Sequence, residues 1–333
     1  MHCLFPCILA IANGLSPIWE VEHMLEAVEL RKVFKGKTAV DNVSLYLDEG
    51  ESVGLLGPNG AGKSTTISMI SSLLTPNSGD VRLNGASIVS KPQLIRQVLG
   101  VVPQEIALYE ALSAYENLKF FGRIYRLKGK ELEVKIQEVL EMVGLKDRQK
   151  ELIKSYSGGM KRRINIAAAL LHDPKIVIMD EPTVGIDPQS RSHILETVRQ
   201  LNREKGTTVL YTSHYMEEVE QLCSRVYIMD HGRIIASGTT DELRRILSSE
   251  DTLLLQLDKQ SHELANELRN LSPVRQVEET ENGLKLIVAK QNQFLSAVVQ
   301  AAERHQVQLI NIHVQTPSLE DVFLHLTGRT LRD

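Results

Sequence analysis

The chain has 333 residues, 42% of them hydrophobic and 24% charged, enough for two domains and a sizeable core. A formal net charge of -4 sets up no global basic field, which argues against nucleic acid as the main partner. No uninterrupted apolar run is long enough to cross a bilayer, and Cys3, Cys7 and Cys223 lack metal-ligand spacing, as in a reducing compartment.

The apolar stretch from Cys3 to Trp19 is broken by Pro6, Asn13, Gly14 and Pro17 and lacks the basic start of a secretory signal. Strand-like sequence begins only at Met24, so residues 1–23 read as a mis-assigned start or a loose extension. Over residues 25–47 short β-type runs alternate with turns, predicting antiparallel strands beside a main sheet. Phe34 falls here, where an aromatic ring either fills a core or stacks on a nucleotide base.

Residues 51–56 read as a short buried strand and residues 63–73 as a helix. Between them Gly57-Pro58-Asn59-Gly60-Ala61-Gly62-Lys63-Ser64, followed by Thr65, satisfies G-x-x-x-x-G-K-[ST], the pattern of a loop that binds a nucleoside triphosphate. Its glycines let backbone approach phosphate oxygens, while the amides and the positive end of the helix face the anion. Lys63 adds a point charge, and the Ser64 hydroxyl is placed to ligate magnesium.

Residues 78–85 predict a hairpin, and residues 99–103 a strand that delivers Gln104 at its end. Over residues 111–144 the periodicity turns helical, with helices at 116–126 and 131–143, so a helical subdomain interrupts the sheet. Leu118, Phe121, Ile124 and Tyr125 read mostly as core, some as part of a partner-facing groove. Ser157-Gly158-Gly159 leads into a helix over 160–171 with Ser157 as N-cap, a second anion-binding terminus. Taken alone, Lys161, Arg162 and Arg163 read as its solvated face.

Residues 175–179 form an unbroken apolar strand ending in Asp180 and Glu181, at the carboxyl edge of a parallel sheet where open α/β folds bind ligands. Asp180 is placed to hold magnesium, directly or through water, and Glu181 to orient or deprotonate an attacking water. Residues 185–188 turn tightly into a helix over 189–204. Residues 207–213 are another buried strand, delivering His214 to the same edge, where it can polarise a γ-phosphate.

In order and spacing these residues resemble an ABC-transporter ATPase subunit over about residues 25–243. The resemblance implies an α/β P-loop NTPase fold of ABC ATPase type, with antiparallel β and helical subdomains. It makes Gly57, Pro58, Asn59, Gly60, Ala61, Gly62, Lys63 and Ser64 the Walker A loop, with Thr65 beside it, and Gln104 the Q-loop glutamine at the magnesium and the attacking water. It makes Ser157, Gly158 and Gly159 the signature, Asp180 and Glu181 the Walker B pair, Asp187 the D-loop aspartate and His214 the switch histidine. Phe34 matches the adenine-stacking aromatic, usually Tyr, while Tyr156 departs from the Leu that usually opens the signature. In this family two copies meet head to tail, so the signature of one caps the γ-phosphate held by Lys63 of the other, with ATP and Mg2+ between them. With Glu181 intact, hydrolysis is implied. About ninety residues between Lys63 and Ser157 leave no room for the coiled coil of chromosome-maintenance relatives, and a single cassette argues against tandem-cassette translation factors.

Residues 252–333 read as a second unit in the order β-α-β-β-α-β, with strands 252–257, 274–280, 284–289 and 308–314 and helices 261–271 and 291–305. This is a small α+β, ferredoxin-like sandwich without a catalytic constellation, an appendage that stabilises a dimer or regulates it rather than a ligand sensor. Residues 316–333 resemble the C-terminal end of ATPase subunits serving ABC-2-type exporters, a group that includes daunorubicin- and linearmycin-type antibiotic resistance pumps. The domain plan is residues 24–245 for ATP binding, with the helical subdomain over about 105–160, and residues 252–333 as the accessory domain. The implied function is ATP hydrolysis that energises export of a drug or antibiotic through a separate ABC-2-type transmembrane permease. That permease would dock against the helical subdomain near Gln104, at the cytoplasmic face of the cell membrane, with no nucleic acid bound. Lipid or sodium ion is the alternative cargo, and a soluble ABC ATPase acting on nucleic acid or ribosomes the alternative function.

Overall fold

The most apolar runs of the chain become its central strands. The computed structural model describes residues 23–247, 250–272, 274–280, 282–289, 294–315 and 318–328. The N-terminal extension up to residue 22 therefore lies outside the described residues, as do 291–293 of the helix expected over 291–305 and residues 316–317 and 329–333 of the closing segment.

In chain order, β1 (Leu25–Phe34) and β2 (Lys37–Leu47) form a hairpin, followed by β3 (Ser52–Leu56), α1 (Lys63–Ile70), β4 (Ser78–Leu83), β5 (Ala86–Ser87), α2 (Gln93–Arg96) and β6 (Leu99–Val102). The helical insertion holds α3 (Ala114–Ile124) and α4 (Gly129–Met142) and leads to α5 (Gly158–Leu170). Next come β7 (Ile176–Met179), α6 (Pro188–Lys205), β8 (Thr208–Tyr211), α7 (Met216–Leu222), β9 (Arg225–Asp230), β10 (Arg233–Gly238) and α8 (Thr240–Leu247). The tail adds β11 (Glu250–Leu257), α9 (His262–Arg269), β12 (Val274–Thr280), β13 (Gly283–Ala289), α10 (Phe294–Arg304), β14 (Leu309–Gln315) and α11 (Leu319–Thr327).

Three sheets result. The central one has six strands in the order β10-β9-β3-β8-β7-β6, parallel except for the β10 edge. Every residue of β3, β7 and β8 is buried, as expected for parallel strands covered on both faces. An antiparallel sheet, β2-β1-β4-β5, packs its inner face with β3 and α1 into one core. The tail sheet runs β12-β13-β11-β14, all antiparallel, with α9 and α10 closing a separate core around Leu255, Leu264, Leu286 and Val298. This is the ferredoxin-like arrangement read from the element order.

Four details depart from the sequence reading. Helix α1 ends at Ile70 instead of residue 73, because the Ser71 hydroxyl donates to Ile67 O at 2.8 Å and Ser72 turns left-handed at φ 57°. Ile124 is 60% exposed at the end of α3 rather than core, whereas Leu118 is fully buried. Arg162, read as part of a solvated face, is buried. The last helix, α11, leaves the tail sheet: Leu319, Val322 and Phe323 are fully buried in the core shared by α5, α6 and α7. Its first amide, Leu319 N, donates to Glu220 of α7 at 3.1 Å, and Arg244 of α8 donates to the same Glu220 oxygen.

Candidate nucleotide site

The loop between β3 and α1 closes under β2. Gly62 has φ 107°, and a Cβ there would lie 2.6 Å from Ala39 O, so glycine is required both by conformation and by space. Above the loop opens a cavity of about 470 Å³, walled by Pro58 to Thr65, by Lys37, Thr38 and Ala39 of β2, by Gln104 and Glu181, and by His231 and Gly232. Gly57 underlies it, and its carbonyl accepts from Lys63 Nζ at 2.6 Å. Lys63 is 5% exposed; burial pushes its ammonium below the usual lysine range, opposed by the charges of Glu181 and Asp180.

The carboxyl edge of the sheet supplies the facing groups. Glu181 is 5% exposed and stands in the left-handed region at φ 49°, a conformation held by its own N–H donating to Thr212 Oγ1 at 2.8 Å. The Thr212 hydroxyl in turn donates to Asp180 Oδ1 at 2.8 Å. Three groups converge on the Glu181 carboxylate: His214 Nε2 at 2.7 Å, Gln104 Nε2 at 2.9 Å and Lys63 Nζ at 3.8 Å. The structure thus brings Lys63, Gln104, Asp180, Glu181 and His214 together. His214 Nδ1 is buried and has no hydrogen-bond partner among the described residues.

Helix α5 begins at Gly158 with Ser157 as N-cap, its side chain accepting from Met160 N at 3.3 Å. Gly159 lies against the start of α6, whose N-cap is Asp187, accepting from Ser190 N at 2.9 Å. That bond, first of all, holds the Asp187 carboxyl below the usual range. Tyr156 fits in place of leucine because its ring is buried and its hydroxyl donates to Arg148 O at 2.7 Å. Arg162 donates to Pro103 O at 2.7 Å and to Gln104 O, so α5 holds the backbone at Gln104 directly.

Phe34 does not line the cavity. It ends β1, 45% exposed beneath Lys32 Nζ at 5.5 Å, directly across the hairpin from the wall residue Lys37. Sequence reasoning missed Lys37, Thr38, Ala39, His231 and Gly232, wall residues brought in by two hairpins that meet where Asp41 N donates to Gly232 O at 2.8 Å. The only local signal was the tight Asp-His-Gly turn after an apolar strand.

The residues fit a triphosphate, because the cradle offers amides, a helix N-terminus and a buried amine to an anion. Asp180, Ser64 and Gln104 offer oxygen donors, the type magnesium takes. Among the described residues no three His, Cys, Asp or Glu side chains form a metal cage.

The class of protein so defined is a P-loop ATPase. Comparison with known proteins narrows it: the ABC transporter family model matches residues 40–184, and the C-terminal domain of DrrA1-3-like ATP-binding proteins matches residues 238–327. The chain is 50% identical over 312 residues to the linearmycin resistance ATP-binding protein LnrL of Bacillus subtilis, covering 93% of this chain and 100% of that protein. It is 37% identical to the daunorubicin/doxorubicin resistance ATP-binding protein DrrA of Streptomyces peucetius, covering 93% of this chain and 94% of the other. Among solved structures, a dimeric post-hydrolysis state of the cassette MJ0796 bound to ADP and Pi superposes with TM-score 0.60 at 28% identity, covering 65% of this chain and 98% of that one. The chain belongs to the ABC family of ATP-binding proteins and is closely related to the linearmycin and daunorubicin resistance ATPases.

Proposed function

We propose that this ATPase powers an ABC-2-type exporter of a drug or antibiotic through a separate membrane-spanning permease, working as a head-to-tail pair at the cytoplasmic face of the membrane. The observation that carries the reading is the continuity of the likeness: it runs through cassette and tail alike, over the full length of the linearmycin resistance relative. No helix among the described residues is long and apolar enough to cross a membrane, and in this reading the path for cargo belongs to the permease. Residues 24–245 carry the chemistry in this reading, with the helical subdomain over about 105–160, and residues 252–333 act as an accessory tied down by α11.

In the mechanism, the cradle and Lys63 take the phosphates, and Phe34 at the rim stacks on the base. The incoming γ-phosphate competes with Glu181 for Lys63 and His214, which both lie against that carboxylate. Once relieved of those partners, the Glu181 carboxylate accepts a proton from water as the water attacks the γ-phosphorus and the bond from that phosphorus to the β,γ-bridging oxygen breaks, ADP leaving with the electron pair, while His214 donates a hydrogen bond from Nε2 to a γ-phosphate oxygen. Magnesium, held by Ser64, Asp180 and Gln104, would supply neutralising charge on the phosphate oxygens. Ser157, Gly158 and Gly159 present a capped helix N-terminus to the phosphate of the second copy, and Asp187 sits beside them.

The test is capture of the tagged Glu181→Gln protein with ATP from detergent-solubilised native membranes, followed by reconstitution of what is recovered. Recovery of a multi-span permease that gives ATP-dependent efflux of a daunorubicin- or linearmycin-like compound supports the proposal. Recovery of ribosomes at high salt, with no membrane protein, would transfer the assignment to the soluble class.

A further inference from the structure

Glu218 lies on α7, four residues beyond His214, and is 1% exposed. Its two oxygens accept from four side chains belonging to three separate segments. Oε2 accepts from Thr183 Oγ1 at 2.8 Å, Tyr211 OH at 2.9 Å and Ser213 Oγ at 2.5 Å, and Oε1 accepts from Arg191 Nε at 2.6 Å. Thr183 is two residues past Glu181, Ser213 immediately precedes His214, and Arg191 lies one turn beyond the α6 cap Asp187. The Arg191 guanidinium also lies 3.8 Å from the centre of the Tyr215 ring, a second bridge from α6 to the switch segment.

We infer that Glu218 is a positioning residue for ATP hydrolysis: its carboxylate binds the segments carrying Glu181, His214 and Asp187 into one unit without itself touching the nucleotide. The inference rests on the roles given above to those three residues. Glu218 is absent from the cavity wall, and so are all four of its donors. A nest of four donors needs an acceptor with two oxygens and no N–H, and a carboxylate meets that need. An amide brings a donor into the nest and removes the charge that makes such bonds about twice as strong as neutral ones. Burial, and after it the charge of Glu218, holds the Tyr211 phenol well above its usual range, so it serves as a donor.

The consequence for catalysis comes through the backbone of Glu181. Its positive φ persists only if both sides of the residue are pinned. Thr212 pins the near side, accepting from Glu181 N, and Glu218 pins the far side by accepting from Thr183. Releasing the far side lets the base drift, and a misplacement of about 1 Å lowers turnover by roughly a hundredfold. The phosphate cradle has no bond to Glu218, so ground-state nucleotide binding is left intact.

The experiment uses the full chain and compares wild type, Glu218→Gln, Ser213→Ala, their double variant and Glu181→Gln. For each, kcat is measured alongside the Kd for a non-hydrolysable ATP analogue. The expected result for Glu218→Gln is a fall in kcat of roughly tenfold to a hundredfold, with Kd within about threefold of wild type. The double variant should fall by less than the two single losses combined, because Glu218 and Ser213 share a contact. Wild-type kcat in Glu218→Gln, beside a dead Glu181→Gln, overturns the positioning role and leaves the base assignment standing. Equal losses in kcat, analogue affinity and thermal stability also overturn it, since they mark a merely structural residue. Wild-type turnover in Glu181→Gln would instead remove the reading on which the inference rests.

Discussion

Gly159→Ala tests whether α5 and α6 are held in contact by the absence of a side chain. A Cβ at Gly159 would lie 2.1 Å from Ser190 Oγ, 2.4 Å from Ser190 Cβ and 3.0 Å from Asp187 Oδ2. Rotation of the Ser190 hydroxyl relieves the first contact but not the second, because Ser190 Cβ is fixed by the α6 backbone. Carbon atoms prefer separations of about 3.5–4.0 Å, so the N-termini of α5 and α6 must part by about 1 Å. Overpacking of this kind costs about 1–3 kcal/mol, read as about 2–4 °C of Tm per kcal/mol in a domain of roughly this size. It also displaces Ser157 and Asp187 together, and a shift of about 1 Å in a positioned group costs roughly a hundredfold in turnover. Nucleotide binding to the cradle of the same chain should be unchanged. Gly158→Ala is the stability control, since a Cβ there meets only Ile186 Cδ1 at 4.0 Å. Thermal denaturation, steady-state ATPase rate and analogue binding are the assays. Wild-type Tm and turnover in Gly159→Ala would refute the packing argument.

Two further predictions concern regions away from the phosphates. Phe323 is fully buried between α11 and the cassette core, so Phe323→Ala should cost about 3–5 kcal/mol and release α11 to proteolysis; unchanged Tm and protection would contradict the docking of that helix. The Cys223 thiol is buried and pushed up to about 12, chiefly by desolvation. The thiolate is the nucleophile, and at pH 8 the folded protein holds almost none, so the Cys223 peptide should resist iodoacetamide until denaturant is added; prompt labelling of folded protein would count against the burial.

The parts of the site legible in the sequence are those written as short, contiguous spacings. Gly57 to Ser64 lies between a buried strand and a helix start, and Asp180 and His214 each end an apolar run that is fully buried in the structure. The cavity's far wall was not legible, since Ala39 and Gly232 reach the loop only through pairings such as Asp41 N to Gly232 O at 2.8 Å, across nearly two hundred residues. Arg162 was misread because α5 is buried on most of its faces, so no apolar stripe marks the charged residue that turns inward. In α11, Ser318 and Asp321 spell out a capping box in the sequence, but nothing local says that the helix docks on α7 and α8 instead of on its own sheet.

Glu181 and Glu218 show how two buried carboxylates of one sheet edge come to differ in role. Both are almost inaccessible, at 5% and 1% exposure, and each gathers hydrogen-bond donors. The partners of Glu181 include Gln104, which donates to it, and Lys63, ion-paired with it at 3.8 Å; both line the phosphate cavity, and an arriving anion can draw them away. None of the donors of Glu218 lines the phosphate cavity. In the proposed mechanism the first carboxylate can therefore be released when substrate binds, as its assigned role of base requires, whereas the second has no cavity-lining partner to lose. The difference follows from which side of the strand ends each donor occupies, and it needs no difference in the chemistry of the two glutamates.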